Sequence, residues 1–261
     1  MKTIVQTAIR TAHLKLMRKP VPDKICLYDH SLTGRADTLD EILSRFTDLG
    51  YSFVGPDEYF TGSGKLMLLS FDDNYKSWYD CLPLLERRGA RATFYVNSFP
   101  FRDKVGAEEL KWFFGRISAA VEPTLTTDEL RCIAACGHVI GAHTHTHPML
   151  AATSIEEAKE EILLSKRLLE GILGMPVTHF AYPFGMRRHF SQELLQYCFD
   201  IGFSTVATGI PCQQFASIKP GIIHRSYWNL DSSFQHNLEN LQIDGRLFER
   251  LTGYNPIAGG H

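Results

Sequence analysis

Leu66-Met67-Leu68-Leu69-Ser70-Phe71 is an almost wholly apolar run, and it is closed by Asp72-Asp73. It reads as a buried β-strand that delivers two adjacent carboxylates at its end. Neighbouring anions repel unless a cation neutralises one of them, and the C-terminal rim of barrel strands is where such folds place their chemistry. Taken alone, the pair is equally compatible with a plainer arrangement in which Asp73 caps a helix starting near Tyr75 and Asp72 is solvated.

On either side of this run, β-rich stretches at Ile25–Tyr28, Ser52–Val54, Ala92–Val96, Val139–Ala142, Val177–Tyr182, Phe203–Ala207 and Ile222–Tyr227 alternate with helical-period segments. Leu39, Ile42, Leu43, Phe46 and Leu49 recur at helical spacing up to Gly50, and Trp78 through Arg88 runs to Gly89. A third helix opens at Thr127-Asp128-Glu129, and Ser154 with Glu157 forms a capping box for a longer one reaching Leu173. Ser191–Phe199 and Phe234–Leu251 complete the set. The alternation predicts an α/β fold on parallel strands, closed or nearly closed into a barrel, in one domain spanning 1–261. Ser98–Pro123 is longer than an ordinary loop and carries Phe99, Phe101, Trp112, Phe113 and Phe114. That stripe reads first as a helix packing on the barrel and second as a substrate wall.

Composition narrows the function. The 261 residues are 44% hydrophobic and 21% charged, as in a globular protein. A net charge of −2, from 27 basic and 29 acidic residues, lacks the basic excess that nucleic-acid binding requires. The six cysteines, Cys26, Cys81, Cys132, Cys136, Cys198 and Cys212, form no CxxC pair and read as free buried thiols in a reducing compartment. Cys132 and Cys136, one helical turn apart, read as core packing. Gln6, Arg10, His13, Lys15 and Arg18 interrupt the apolar residues of Met1–Lys19, so no signal-peptide core is seen and a cytoplasmic location is expected. No run is long enough to span a bilayer.

The second chemical element follows Val139–Ala142. That strand runs into His143-Thr144-His145-Thr146-His147-Pro148, and Pro148 disfavours helix at His147, so the cluster is a turn at a strand end. His143 and His147 can converge on one ion while His145 points elsewhere. Imidazole and carboxylate are usual zinc ligands, and three protein ligands leave a position open for water.

Three segments, taken together, resemble a known family. Ser70-Phe71-Asp72-Asp73-Asn74-Tyr75, then Gly137 through Leu150, then Phe180-Ala181-Tyr182-Pro183-Phe184-Gly185 resemble, in order and spacing, the first three motifs of the polysaccharide deacetylases. These are the carbohydrate esterases of family 4, or NodB homology domain, and the likeness covers roughly Lys65 to Tyr227. The resemblance implies a distorted (β/α)7 barrel and a divalent metal, zinc or alternatively cobalt or nickel. It further implies that a water activated by the metal removes N-acetyl groups from an amino sugar in a polymer, oligosaccharide or lipid-linked glycan. By position, Asp73, His143 and His147 match the metal ligands and Asp72 the general base. The Phe184 N–H matches the oxyanion donor. Tyr182 and Pro183 fall where the family meets substrate.

Two departures stand out. Ala181 occupies the place of an arginine that usually orients the base, and Arg225 is the residue that a branch of the family offers instead. The general acid is matched by His224, in a loose Leu-x-His pattern at Ile222-Ile223-His224, or by His30 within Tyr28-Asp29-His30. Other readings are a same-fold amidohydrolase acting on a formamide or cyclic ureide, and an inactive glycan-binding protein.

Overall fold

A computed structural model describes residues 10–211, 220–245, 249–250 and 253. Cys212 and the end of the expected Phe234–Leu251 helix lie outside the described residues. Strand β3 (Leu66–Asp73) is buried along its whole length, as its apolar run requires. Around it in chain order come β1 (Lys24–Asp29), β2 (Ser52–Phe53), β4 (Ala92–Val96), β5 (Val139–Ala142), β6 (His179–Ala181), β7 (Thr205–Thr208), β8 (Ile222–His224) and β9 (Ser226–Tyr227). All pairings are parallel, in the spatial order β8-β7-β6-β5-β4-β3-β1-β9, with β2 beside the start of β3.

The expected strand Ile222–Tyr227 is two strands with Arg225 between them. β8 pairs with β7 through Thr208 and His224, whereas β9 pairs with β1 through Leu27 and Ser226. One short segment therefore bridges the first and last walls, and the sheet closes nearly completely into the expected barrel. Alternate residues of each strand face opposite ways. Leu68, Tyr95, Ala181, Ala207 and Ile223 pack together inside the barrel with Cys26, while Met67, Leu69, Phe71 and Phe94 join the larger core beneath the helices.

The helices are α1 (residues 10–16), α2 (Ala36–Asp48), α3 (Pro56–Thr61), α4 (Ser77–Asp80), α5 (Leu82–Arg87), α6 (Ala107–Arg116), α7 (Thr127–Ala135), α8 (Ile155–Leu173), α9 (Gln192–Asp200) and α10 (Phe234–Leu241). The expected capping box of α8 is present, since Ser154 accepts from the Glu157 N–H and the Glu157 carboxylate from the Ser154 N–H. Trp78–Arg88 is broken at Cys81 rather than continuous, because Pro83 has no N–H to give and constrains Leu82 before it. The expected Phe234–Leu251 helix is interrupted: α10 ends at Leu241, Gln242–Asp244 are not helical, and helix resumes at Gly245. Cys26, Cys81 and Cys198 are buried free thiols, but Cys132 is only half-buried and Cys136, at the C-terminal cap of α7, is exposed. In the long segment after β4, Phe99, Phe113 and Phe114 are buried as packing residues, whereas Trp112 is 48% exposed. No helix among the described residues is long and apolar enough to cross a membrane.

Gly141 on β5 makes room for the Tyr95 ring inside the barrel. A Cβ there would lie 2.5 Å from a Tyr95 ring carbon and 3.0 Å from the His179 carbonyl oxygen. Gly141→Ala is therefore expected to lower stability by about 1–3 kcal/mol, read as a reduced denaturation midpoint in urea.

Candidate metal centre

The C-terminal end of β3 and the turn after β5 meet because Asp73 pairs with Val96 on β4 and Val96 in turn with Ala142 on β5. His143 follows directly, its N–H bonded to the Val96 carbonyl at 3.0 Å. Asp73 Oδ1 stands 3.6 Å from His143 Nε2 and 3.5 Å from His147 Nε2. One donor atom from each of the three lies within 4.8 Å of the others, and all three side chains are buried.

The local backbone is bent to bring this about. Asp73 (φ 87°), Thr144 (φ 67°), His147 (φ 57°) and Phe184 (φ 64°) all adopt left-handed conformations. Such conformations are costly for residues with a Cβ and cluster where function fixes geometry. Thr144 supports the turn by accepting the His147 N–H at 3.1 Å.

The donor set fits a divalent cation. Asp73 Oδ1 is buried with no hydrogen-bond partner. Burial, foremost, raises the Asp73 carboxyl above its usual range, against the opposing charges of His30 and His143, and the Asp72 charge adds to the rise. A cation would remove that penalty. His143 Nδ1 lies 2.7 Å from the Ala181 carbonyl oxygen, which can only accept, so Nδ1 carries a proton and Nε2 is the ring nitrogen that faces Asp73. Burial and then the charges on His143, His30 and Arg116 hold His147 well below its ordinary value, as a neutral imidazole. His145 points away, as expected: its Nδ1 is 2.8 Å from Ser98 Oγ and its ring packs on Phe99.

Asp72 faces the barrel interior, where Arg225 meets it with both arms of the guanidinium, Nη1 to Oδ1 at 2.6 Å and Nη2 to Oδ2 at 2.7 Å. Nη1 also donates to Ser70 Oγ and Nε to the Thr208 carbonyl oxygen, each at 3.0 Å. The guanidinium lies between the rings of Tyr28 and Tyr95, 4.6 and 4.9 Å from their centroids. Burial alone would raise the Asp72 carboxyl, but the Arg225 and His143 charges and the guanidinium hydrogen bonds hold it below its usual range. Arg225 is 1% exposed, so it is a positioning residue for Asp72 and does not meet substrate. Ala181, inward-facing on β6, has no polar group that could do this.

The remaining sequence candidates separate. Inward-facing Ile223 and Arg225 leave His224 between them facing out, with Nδ1 3.0 Å from Thr208 Oγ1, so His224 does not reach the Asp72–Asp73 pair. His30 does lie at the mouth, near the rings of Tyr28 and Tyr227. Desolvation opposes its charged form, but the Asp29 hydrogen bond and the Asp73 and Asp72 charges outweigh it, so His30 is pushed up to about 9. Tyr182 is buried, donates its hydroxyl to the Gly185 carbonyl at 2.7 Å and stacks on Phe190. It braces the turn instead of contacting substrate. Pro183 is also buried. Phe184 is 40% exposed with its ring against His147, and its N–H has no acceptor among the described residues.

The family model described as "Polysaccharide deacetylase" matches residues 61–206, more than half of the chain. The chain belongs to the polysaccharide deacetylase family. Among solved structures it is similar to the Streptococcus pyogenes deacetylase PplD in complex with acetate, with TM-score 0.65 and 21% identity over 84% of this chain and 97% of that one. It is also similar to IcaB from Ammonifex degensii, with TM-score 0.62 and 21% identity over 84% and 96% of the two chains. These likenesses establish the deacetylase barrel fold. YxkH of Bacillus subtilis (strain 168) is 25% identical over 150 residues, 57% of this chain, and the chain spans about half the length of that relative, 46% of it.

Titration of the metal-free chain with zinc is expected to fill one tight site. Asp73→Asn and His147→Ala should each weaken binding by about tenfold or more, whereas Asp72→Asn should retain it. Equal loss in all three would place Asp72 among the ligands.

Proposed function

We propose that this polysaccharide deacetylase family member is a metal-dependent amidohydrolase that removes N-acetyl groups from an amino-sugar glycan. The observation that carries the reading is the buried Asp73–His143–His147 cluster beside a carboxylate, Asp72, that Arg225 holds ionised. A divalent ion held by the three residues supplies Lewis acidity, polarising the acetamide carbonyl and making solvent more acidic.

The protein's own groups account for the rest. Asp72 accepts the proton of the attacking water as its oxygen bonds to the carbonyl carbon. The bidentate clamp keeps this base ionised and aimed, and its low basicity is matched to a water already acidified. The Phe184 N–H, on its left-handed turn, donates to the carbonyl oxygen as negative charge builds there. Collapse breaks the C–N bond and His30, at the mouth, gives a proton to the departing amine, leaving acetate and a free amino sugar. The streptococcal deacetylase of the same fold is itself in complex with acetate. An inactive glycan binder would follow from the missing arginine at Ala181, and Arg225 removes that ground.

Metal-loaded protein is expected to release acetate from N-acetylglucosamine oligomers, with Asp72→Asn lowering kcat by roughly 10²–10⁴-fold while the metal stays bound. Arg225→Lys keeps the charge but loses the fork, so it should lower kcat with little change in KM. Acetate release unchanged by Asp72→Asn, or none from any N-acetylated glycan, would overturn the proposal.

A further inference from the structure

The Phe184 turn and the arginine behind the base stand on different strands, yet one peptide unit joins them. The Thr208 carbonyl, at the end of β7, accepts Arg225 Nε at 3.0 Å. The Gly209 N–H, in the same peptide, donates to the Gly185 carbonyl at 2.9 Å. A trans peptide is planar and rigid, so its two polar groups move together.

The Gly185 carbonyl also accepts the Tyr182 hydroxyl at 2.7 Å, which closes Tyr182–Gly185 into a loop with Pro183 and Phe184 at its tip. Phe184 and Gly185 are both left-handed there, with φ 64° and 63°. Where this loop meets the end of β7 there is no room for side chains. A Cβ on Gly185 would lie 2.4 Å from the Gly209 nitrogen, and a Cβ on Gly209 would lie 3.0 Å from the Tyr28 hydroxyl. That same Tyr28 ring covers the Arg225 guanidinium, 4.6 Å from its centroid. The Tyr182 ring is fixed in its turn by stacking on Phe190, with centroids 4.5 Å apart.

Packing alone does not call for this arrangement. A plain turn can leave its carbonyl to water and avoid a left-handed residue that bears a Cβ. Here the strained residue is the one at the cluster, since the Phe184 ring lies 4.9 Å from that of His147. We infer that Tyr182 and Gly209 are positioning residues that hold the Phe184 N–H in register with Asp72, through the Gly185 carbonyl and the Thr208–Gly209 peptide. This rests on the hydrolysis reading above and adds to it that base and oxyanion donor are set by one connected frame.

Tyr182→Phe removes one oxygen and keeps the stack on Phe190. In the metal-loaded chain it is expected to lower kcat for N-acetylglucosamine oligomers by about tenfold, with KM and zinc affinity within about twofold. Gly209→Ala should do the same from the other side, and should it not fold, Tyr182→Phe alone carries the test. Combined with Arg225→Lys, Tyr182→Phe should depart from the product of the two single losses by about threefold or more, because both disturb one frame. A lowered denaturation midpoint with kcat unchanged, or losses that simply multiply, would overturn the inference. Nuclear magnetic resonance of the metal-free chain reads the frame without turnover. Tyr182→Phe is expected to shift both the Phe184 amide signal and the Arg225 Nε–H signal, although its hydroxyl bonds neither group. If the unaltered chain releases no acetate, the hydrolysis reading fails and these two signals decide the linkage by themselves. Both moving upholds it, and an unmoved Arg225 signal overturns it.

Discussion

The bidentate bond between Asp72 and Arg225 is the constraint on which the barrel interior is arranged. Two ions enclosed among Tyr28, Tyr95, Ser70 and Thr208 are tolerable because every guanidinium nitrogen and both Asp72 oxygens are bonded. Losing one partner of such a pair typically costs about 3–5 kcal/mol. The requirement extends outward. Tyr95 must lie flat beside the guanidinium, so the facing position on β5 has to be glycine. Ser70, two residues before Asp72 on the same strand face, bonds Arg225 and the Leu27 carbonyl together.

This pair also divides the labour between adjacent carboxylates. Asp72 has its compensating charge inside the protein, whereas Asp73, one residue on and turned out by its left-handed backbone, has none beyond histidine. Identical side chains on neighbouring positions thus acquire different chemistry from their surroundings, one held toward its ionised form by an arginine and the other in want of a cation.

What can be read from the sequence is what is local to a strand end. The Asp72-Asp73 pair and the His143/His147 spacing declare themselves because each motif is built within a few residues, and the capping box of α8 is legible for the same reason. The role of Arg225 is harder to read, since it contacts a residue 153 positions away across the closing seam of the barrel. His224 and Arg225 are adjacent, and which one faces inward depends on the register of a two-part strand, where a slip of one residue exchanges the faces. Tyr182 misleads for another reason. Only the folded turn reveals that its hydroxyl is taken by the Gly185 carbonyl. The break at Cys81 is visible in Pro83 but hidden by a continuous apolar period.

The segment that carries Arg225 is the one that seals the sheet, pairing with β7 on one flank and β1 on the other. The Asp73–His143–His147 cluster comes from β3 and the turn after β5, which need only neighbouring strands to assemble. The cluster and the clamp on Asp72 therefore depend on different parts of the sheet, the first on interior neighbours and the second on the closing seam. Loosening that seam would strip Asp72 of its arginine while leaving the strands that carry the three cluster residues paired.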